Sequence, residues 1–306
     1  MCVVKDEADV IAQTLERAAQ WCDHIYVYDN GSSDGTWEIV RDLARARERI
    51  VPFKTDGRVF VEGIRREVFA HYRRRAAPGD WWCRLDSDEV YVDDPRDFLA
   101  RVPKEYEVVW GAMLNYYFTD RDLARYEADP SAYGDGVPFE GRYRYYRNGW
   151  SEPRLFRESR HLFWPSWRAW PILGATHPRR LRIKHFQYRS PESIQKRIVV
   201  RRENAARGGF AFPHEILGGW TRVLTDSTRF LDPAVHDRAR RDLEKLGPPT
   251  GEEWRERIVD ASTLDFDAQD GTYVMHEDLM PPLPKVGRGK LLVKRCVGRT
   301  LNVLLG

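Results

Sequence analysis

The chain of 306 residues is long enough for one large domain with an elaboration, or for two smaller ones. Hydrophobic residues make up 42% and charged residues 32%, which excludes disordered and fibrous classes. With 50 basic against 47 acidic residues the net charge is +3, too even a balance for a nucleic-acid partner.

The first half alternates strand-like and helix-like segments. Residues 1–4 form a short apolar strand, short enough to suggest a clipped start. Residues 8–19 carry Val10, Ile11, Leu15, Ala18 and Ala19 at helical spacing. Residues 24–28 are rich in strand formers, 29–35 are turn chemistry, and 36–46 read as a second helix. A third strand at 50–53, a basic amphipathic helix at 61–75 and a fourth strand at 81–85 come next. Repeated β-α units of this kind predict an α/β fold, a mostly parallel sheet flanked by helices. Farther on, 107–118 reads as one or two strands, 119–149 as a loop or lid, and 154–156 and 181–188 as strands. Ser190, Pro191 and Glu192 start a helix that runs to about Arg207, with Ser as the cap and Pro in the first turn. Beyond Phe210 short helices and loops are expected, ending in a tail that mixes Lys and Arg with Leu and Val. This predicts a main domain at 1–210, split near 115, and a C-terminal helical and loop elaboration at 211–306.

No stretch approaches the roughly 20 apolar residues that cross a bilayer. The start lacks a basic segment followed by an apolar run, so no secretory signal is expected. Cys2, Cys22, Cys83 and Cys296 are widely spaced, match no metal-ligand pattern, and fit a reduced, cytoplasmic protein. Residues 291–297 read as an interfacial membrane helix or a helix docked on the domain. Gly289 and Gly298 favour docking, because glycine weakens a free helix.

Three acidic clusters fall directly after predicted strands: Lys5-Asp6-Glu7, the run Asp29 to Thr36, and Asp86-Ser87-Asp88-Glu89. In open α/β sheets ligands collect beyond the carboxyl ends of strands, so the clusters should meet at one edge. So many carboxylates repel unless a cation sits among them, and a divalent ion with oxygen ligands answers that. On extended chain, Asp86 and Asp88 would point the same way.

These segments, with Arg65-Arg66 in the following helix, resemble the family 2 glycosyltransferases across about residues 1–115. The segments around Glu152-Pro153-Arg154 and His185-Phe186-Gln187-Tyr188 look like parts of bacterial members. The resemblance implies a GT-A (Rossmann-like) fold and a hexosyltransferase-like enzyme (EC 2.4). Its donor would be a UDP-, GDP- or dTDP-sugar, its acceptor a saccharide or a lipid-linked molecule, and its reaction inverting. Glu7, Asp29 and Asp34 would hold base and ribose, and Arg66 would face the phosphates. Asp86 would meet ribose or metal. Asp88 would ligate Mg²⁺ or Mn²⁺, with His185 or His177 as a late ligand. Peripheral contact with the inner face of the membrane would come through the tail.

Each residue has a simpler reading. Asp34 caps a helix, Asp86 and Asp88 serve a turn, and Arg65 and Arg66 are solvated charges. His185, which alternates with Leu181 and Ile183, is a core histidine. Glu152 is the expected base, its pKa raised by Trp150 and Phe156, or else it pairs with Arg154 or Arg157. Asp120 is a weaker base. Trp164, Trp167 and Trp170 form either a sugar-stacking wall or a satellite core. An aspartyl phosphatase built on Asp86, which would need a later Lys and an acidic pair that Asp93-Asp94 lies too close in sequence to supply, and a non-catalytic nucleotide-sugar binder are the competing functions.

Overall fold

The computed structural model describes residues 1–134, 136–166, 168–210, 264–286 and 288–305. Two compact units make up the chain. The first comprises 1–112, 151–183 and 281–306, and the second 113–150 and 184–280.

The first unit begins with a parallel sheet of β1 (Cys2–Val4), β2 (Ile25–Asp29) and β3 (Ile50–Thr55). Its register sets Val4 beside Asp29 and Asp29 beside Thr55, so three chain segments leave at one edge. β2 is buried throughout, and its period-2 alternation feeds two cores. Ile25 and Val27 pack with Ile11 and Leu15 of α1 (Ile11–Trp21) and Val40 of α2 (Thr36–Ala46). Tyr26 and Tyr28 pack with Val68, Phe69 and Tyr72 of α3 (Arg65–Tyr72). The expected helix at 61–75 is α3 with a 3₁₀ turn at each end, Glu62–Ile64 and Arg73–Arg75.

β4 (Trp81–Cys83) is shorter than expected, but Leu85 bridges Cys2 in parallel and extends the edge. A second sheet has the order β4-β7-β6-β8-β5, with β5 at Glu89–Tyr91, β6 at Val108–Tyr116, β7 at Tyr145–Arg157 and β8 at Leu181–His185. Here β4 and β7 run antiparallel. The expected α/β fold is present: the first sheet is parallel throughout, and the second is mixed. Helical crossovers enforce parallel pairing, and past β4 several connections lack them. Asp94 accepts from the backbone N–H groups of Arg96 and Asp97 and caps α4 (Pro95–Ala100). The chain closes with α7 (Arg288–Leu305).

In the second unit, the segment expected to be a loop or lid contains α5 (Asp120–Ala128), started by a reciprocal capping box between Thr119 and Asp122. Phe118, Tyr126 and Tyr133 pack edge to face around it, and Tyr143 tilts against Tyr133. α6 (Pro191–Ala206) starts at Ser190 as expected, in a capping box with Ser193. β9 (Asp265–Phe266) pairs antiparallel with β7. Lys184, buried, pairs with buried Asp267 at 2.9 Å. Residues 211–263, most of the expected C-terminal elaboration, lie outside the described residues. No helix among the described residues is long and apolar enough to cross a membrane.

Candidate active site

At the carboxyl edge of β1 and β2 the first two acidic clusters clasp each other. Lys5 donates to the Gly31 carbonyl, and Asp6 accepts from Ser33 N at 2.7 Å, with φ of 54° at Asp6. Asp29 is fully buried and accepts from Gly31 N at 3.0 Å, Ser32 N at 2.9 Å, Thr55 Oγ1 at 2.6 Å and Ser32 Oγ at 2.5 Å. Three of these donors meet Oδ2 and one meets Oδ1, so the carboxylate ties the loop to β3. Asp34 accepts from Thr36 N and Ala8 N, both at 3.1 Å, and so joins the starts of α2 and α1. The Glu7 amide donates to Thr36 Oγ1 at 2.8 Å, and its carbonyl accepts from Ile11 N at 2.9 Å. Asp29 and Asp34 thus shape the edge at which the three chain segments leave the sheet.

The third cluster is different in kind. Ser87 and Asp88 form a turn, so the extended-chain alternation expected for Asp86 and Asp88 is broken. Asp88 is turned inward and buried. Asp86 instead joins Glu89 and Glu152, with one oxygen of each within 4.8 Å of the others. Arg154, buried, binds all three carboxylates: Asp86 at 2.8 Å, Glu152 at 2.5 Å, and Glu89. Arg65 also pairs with Asp86, and Arg84 stands 3.9 Å from both Asp86 and Glu152. Three acids and three guanidinium groups therefore share one site. Burial works against the Asp86 charge, but Arg65, Arg154 and Arg84 outweigh it and hold its carboxyl well below the usual range. Burial likewise works against Arg154, whose charge Glu152, Glu89 and Asp86 secure.

Solvent access divides the acids. The side chains of Asp86 and Glu152 are 23% and 16% exposed, whereas that of Glu89 is fully covered. Glu89 therefore anchors Arg154 from beneath, while Asp86 and Glu152 face outward. Among the described residues, buried Nε of Arg65 and Nε and Nη1 of Arg84 have no hydrogen-bond acceptor. Buried donors of this kind suit an anion that brings its own oxygens. The carboxylates are hard oxygen donors of the type that holds Mg²⁺ or Mn²⁺, so the donor set fits such an ion.

The other expected residues fall elsewhere. Arg66 is half-buried, and it is Arg65, on the face of α3 with Val68, Phe69 and Tyr72, that reaches Asp86. His185 lies in the second unit, half-buried and hydrogen-bonded to Asn115 Oδ1 at 2.9 Å, while Lys184 takes the inward position beside it. His177 Nδ1 rests on the Arg179 backbone, 3.1 Å from its carbonyl oxygen and 3.3 Å from its amide nitrogen, with the ring between Phe98 and Tyr106. Asp120 is the exposed first residue of α5. The aromatic setting expected for Glu152 is replaced by arginine, since Trp150 is exposed and Phe156 belongs to the core. Trp164 is core, ring to ring with Phe69 and Phe156, and Trp170 packs on the same cluster. Trp167 lies outside the described residues. Asp93 pairs with Arg182 at 2.6 Å and Asp94 caps α4. Asp93 and Asp94, too close in sequence to serve the phosphatase reading, thus have structural work.

Arg84 is the site residue that sequence reasoning missed; it names Arg65, Glu89 and Arg154, the last as the ion-pair partner of Glu152 that it is, but not as parts of one cluster. A signal was present: Arg84-Leu85-Asp86 and Glu152-Pro153-Arg154 carry mirrored charges. On antiparallel chains such a mirror sets each acid opposite the other and each base opposite the other. The ladder does this, with Cys83 opposite Leu155 and Arg84 N donating to Arg154 O at 2.8 Å.

No curated protein matches the chain at a significant level. The model of the family described as glycosyl transferase family 2 matches residues 2–166, more than half of the chain, and the chain belongs to that family.

Proposed function

We propose that this family 2 member transfers a hexosyl unit from a UDP-, GDP- or dTDP-sugar to a hydroxyl of a saccharide or lipid-linked acceptor, with inversion and with help from a divalent cation. The observation that carries the reading is the cluster of Asp86, Glu89 and Glu152 around Arg154, beside the buried donors of Arg65 and Arg84. Cleavage of a sugar–phosphate bond leaves a nucleoside diphosphate, and the site must meet its growing negative charge. Arg65 and Arg84 offer N–H donors for phosphate oxygens. Asp86, the most exposed of the three acids, would help hold Mg²⁺ or Mn²⁺, which would supply further neutralisation of the leaving group. Glu152, open to solvent and ion-paired in its charged form, takes the proton of the acceptor hydroxyl.

Sugar transfer is measured against a panel of nucleotide sugars, with Mn²⁺, with Mg²⁺ and with EDTA. Transfer is expected with metal and is expected to fall to background in EDTA. Full turnover in EDTA would remove the cation from the reading. Glu152→Gln should lower turnover by roughly 10²–10⁴-fold and leave Mn²⁺ affinity unchanged. Weakened Mn²⁺ binding with normal turnover at saturating metal would make Glu152 a ligand and not the base. Phosphate release without sugar transfer would favour the phosphatase alternative.

A further inference from the structure

Helix α7 leaves a run of apolar residues on the side away from the body it packs on. Its inner side is attached mainly by polar and small residues, with Leu291 half-buried at a cleft it lines with Leu162 and Leu173. Lys294 donates to the Leu173 carbonyl at 3.2 Å, Arg295 pairs with Glu107 at 2.8 Å, and His161 donates to the Arg295 carbonyl at 3.2 Å. Gly298 sits so close to the His161 carbonyl that a Cβ there would collide with it. The outer side is apolar: Leu292 is 65% exposed, Val293 62% and Val297 43%, with Cys296 also exposed among them. At 3.6 residues per turn these four occupy one arc of about 140°. Lys290 and Arg299, both exposed, fall at the two edges of that arc.

The charge of the segment is as lopsided as its hydrophobicity. Residues 285–306 hold six basic residues (Lys285, Arg288, Lys290, Lys294, Arg295 and Arg299) and no acidic one. Without them the chain would carry 44 basic against 47 acidic residues, so its whole positive excess lies in this tail. A soluble helix normally turns its leucines and valines inward and its charges to water. Here the ion pair and hydrogen bonds hold the apolar arc outward. Apolar residues exposed between flanking cations suit a bilayer surface, where the arc enters the acyl boundary and the cations meet anionic headgroups.

We infer that the outer face of α7 docks the enzyme on an anionic lipid surface. The full chain is sedimented with phosphatidylcholine vesicles, with and without phosphatidylglycerol. Binding to the anionic vesicles should exceed binding to neutral ones by about tenfold or more, and salt should weaken it. Leu292→Glu with Val293→Glu should lower that binding by about tenfold or more. Both side chains face outward, so the thermal midpoint should not move. Equal binding to both vesicle types, no binding, or unchanged binding by the double variant would overturn the inference. So would a chain dimer, seen by analytical ultracentrifugation and dissociated by the double variant, because a second copy would then cover the face.

Discussion

Arg65 and Arg66 are neighbours in sequence with different surroundings. Arg65 is buried and paired with Asp86, and its Nε has no acceptor among the described residues. Arg66 is one position on and half-buried. If phosphate oxygens bind the buried guanidinium groups, Arg65→Gln should reduce kcat/KM for the donor by about tenfold to a hundredfold, the cost of one charged hydrogen bond. Arg66→Gln should change it by less than about threefold. The reverse order of effects would return the phosphate role to Arg66. The choice between the two was legible in principle: Arg65, Val68, Phe69 and Tyr72 have the i, i+3, i+4, i+7 spacing of one helix face. It is obscured when the helix is begun at residue 61, because the 3₁₀ turn at Glu62–Ile64 winds more tightly and shifts the phase of the α-helical turns after it. Asp86 was legible from its place at the end of a strand. The expected alternation of Asp86 with Asp88 does not hold, because it requires extended chain and the chain turns there.

At the scale of elements, the edge that carries the site depends on one loop between β2 and α2. Gly31 has φ of 73°, and a Cβ on it would lie 2.8 Å from the Gly57 Cα. Both the left-handed backbone and the close approach need glycine. Gly31→Ala should therefore cost about 1–3 kcal/mol, read as a lower urea midpoint at unchanged slope. A loss below about 0.5 kcal/mol, the ordinary effect of a surface change, would mean the loop relaxes without strain. Elements set by local chemistry were the ones readable in advance. The turn residues after β2 and the Ser190-Pro191 start of α6 are examples, since a cap or a left-handed glycine depends on few neighbours. α5 escaped notice because its capping box uses Asp122 in the place usual for Glu or Gln, amid aromatic and glycine-rich sequence. The antiparallel pairing of β4 with β7 joins residues more than seventy positions apart. No local pattern encodes such a partner, although the mirrored charges of Arg84–Asp86 and Glu152–Arg154 are its trace.

For the whole molecule, three ion-paired or hydrogen-bonded carboxylates make stability fall in acid, against the opposite contribution of Asp122, whose burial raises its carboxyl pKa. Asp86, Asp56 and Asp267 each have a depressed carboxyl pKa. In all three, burial pushes the value upward and hydrogen-bonded or charged partners more than reverse it. Those partners are the arginines around Asp86, then Arg58, Tyr28 and Lys54 at Asp56, then Tyr116 and Lys184 at Asp267. A carboxylate whose folded pKa lies below its unfolded value of about 3.9 contributes stability that is complete above that value. The contribution is lost as pH falls toward the folded value, because the unfolded chain takes up the proton first. The thermal midpoint should therefore hold between about pH 7 and 5 and fall below about pH 4. Asp86→Asn separates this site from the other two. It leaves Arg65, Arg84 and Arg154 facing only Glu89 and Glu152, so at neutral pH it should cost about 3–5 kcal/mol, the usual loss when one partner of a buried pair is removed. The same variant should lose less further stability on acidification than the native chain, since one depressed carboxyl has gone. Calorimetry of both proteins across the pH range checks this. An acid slope that is the same in both would mean that Asp86 is not ion-paired in the folded protein, and the three-arginine cluster would lose its central acid.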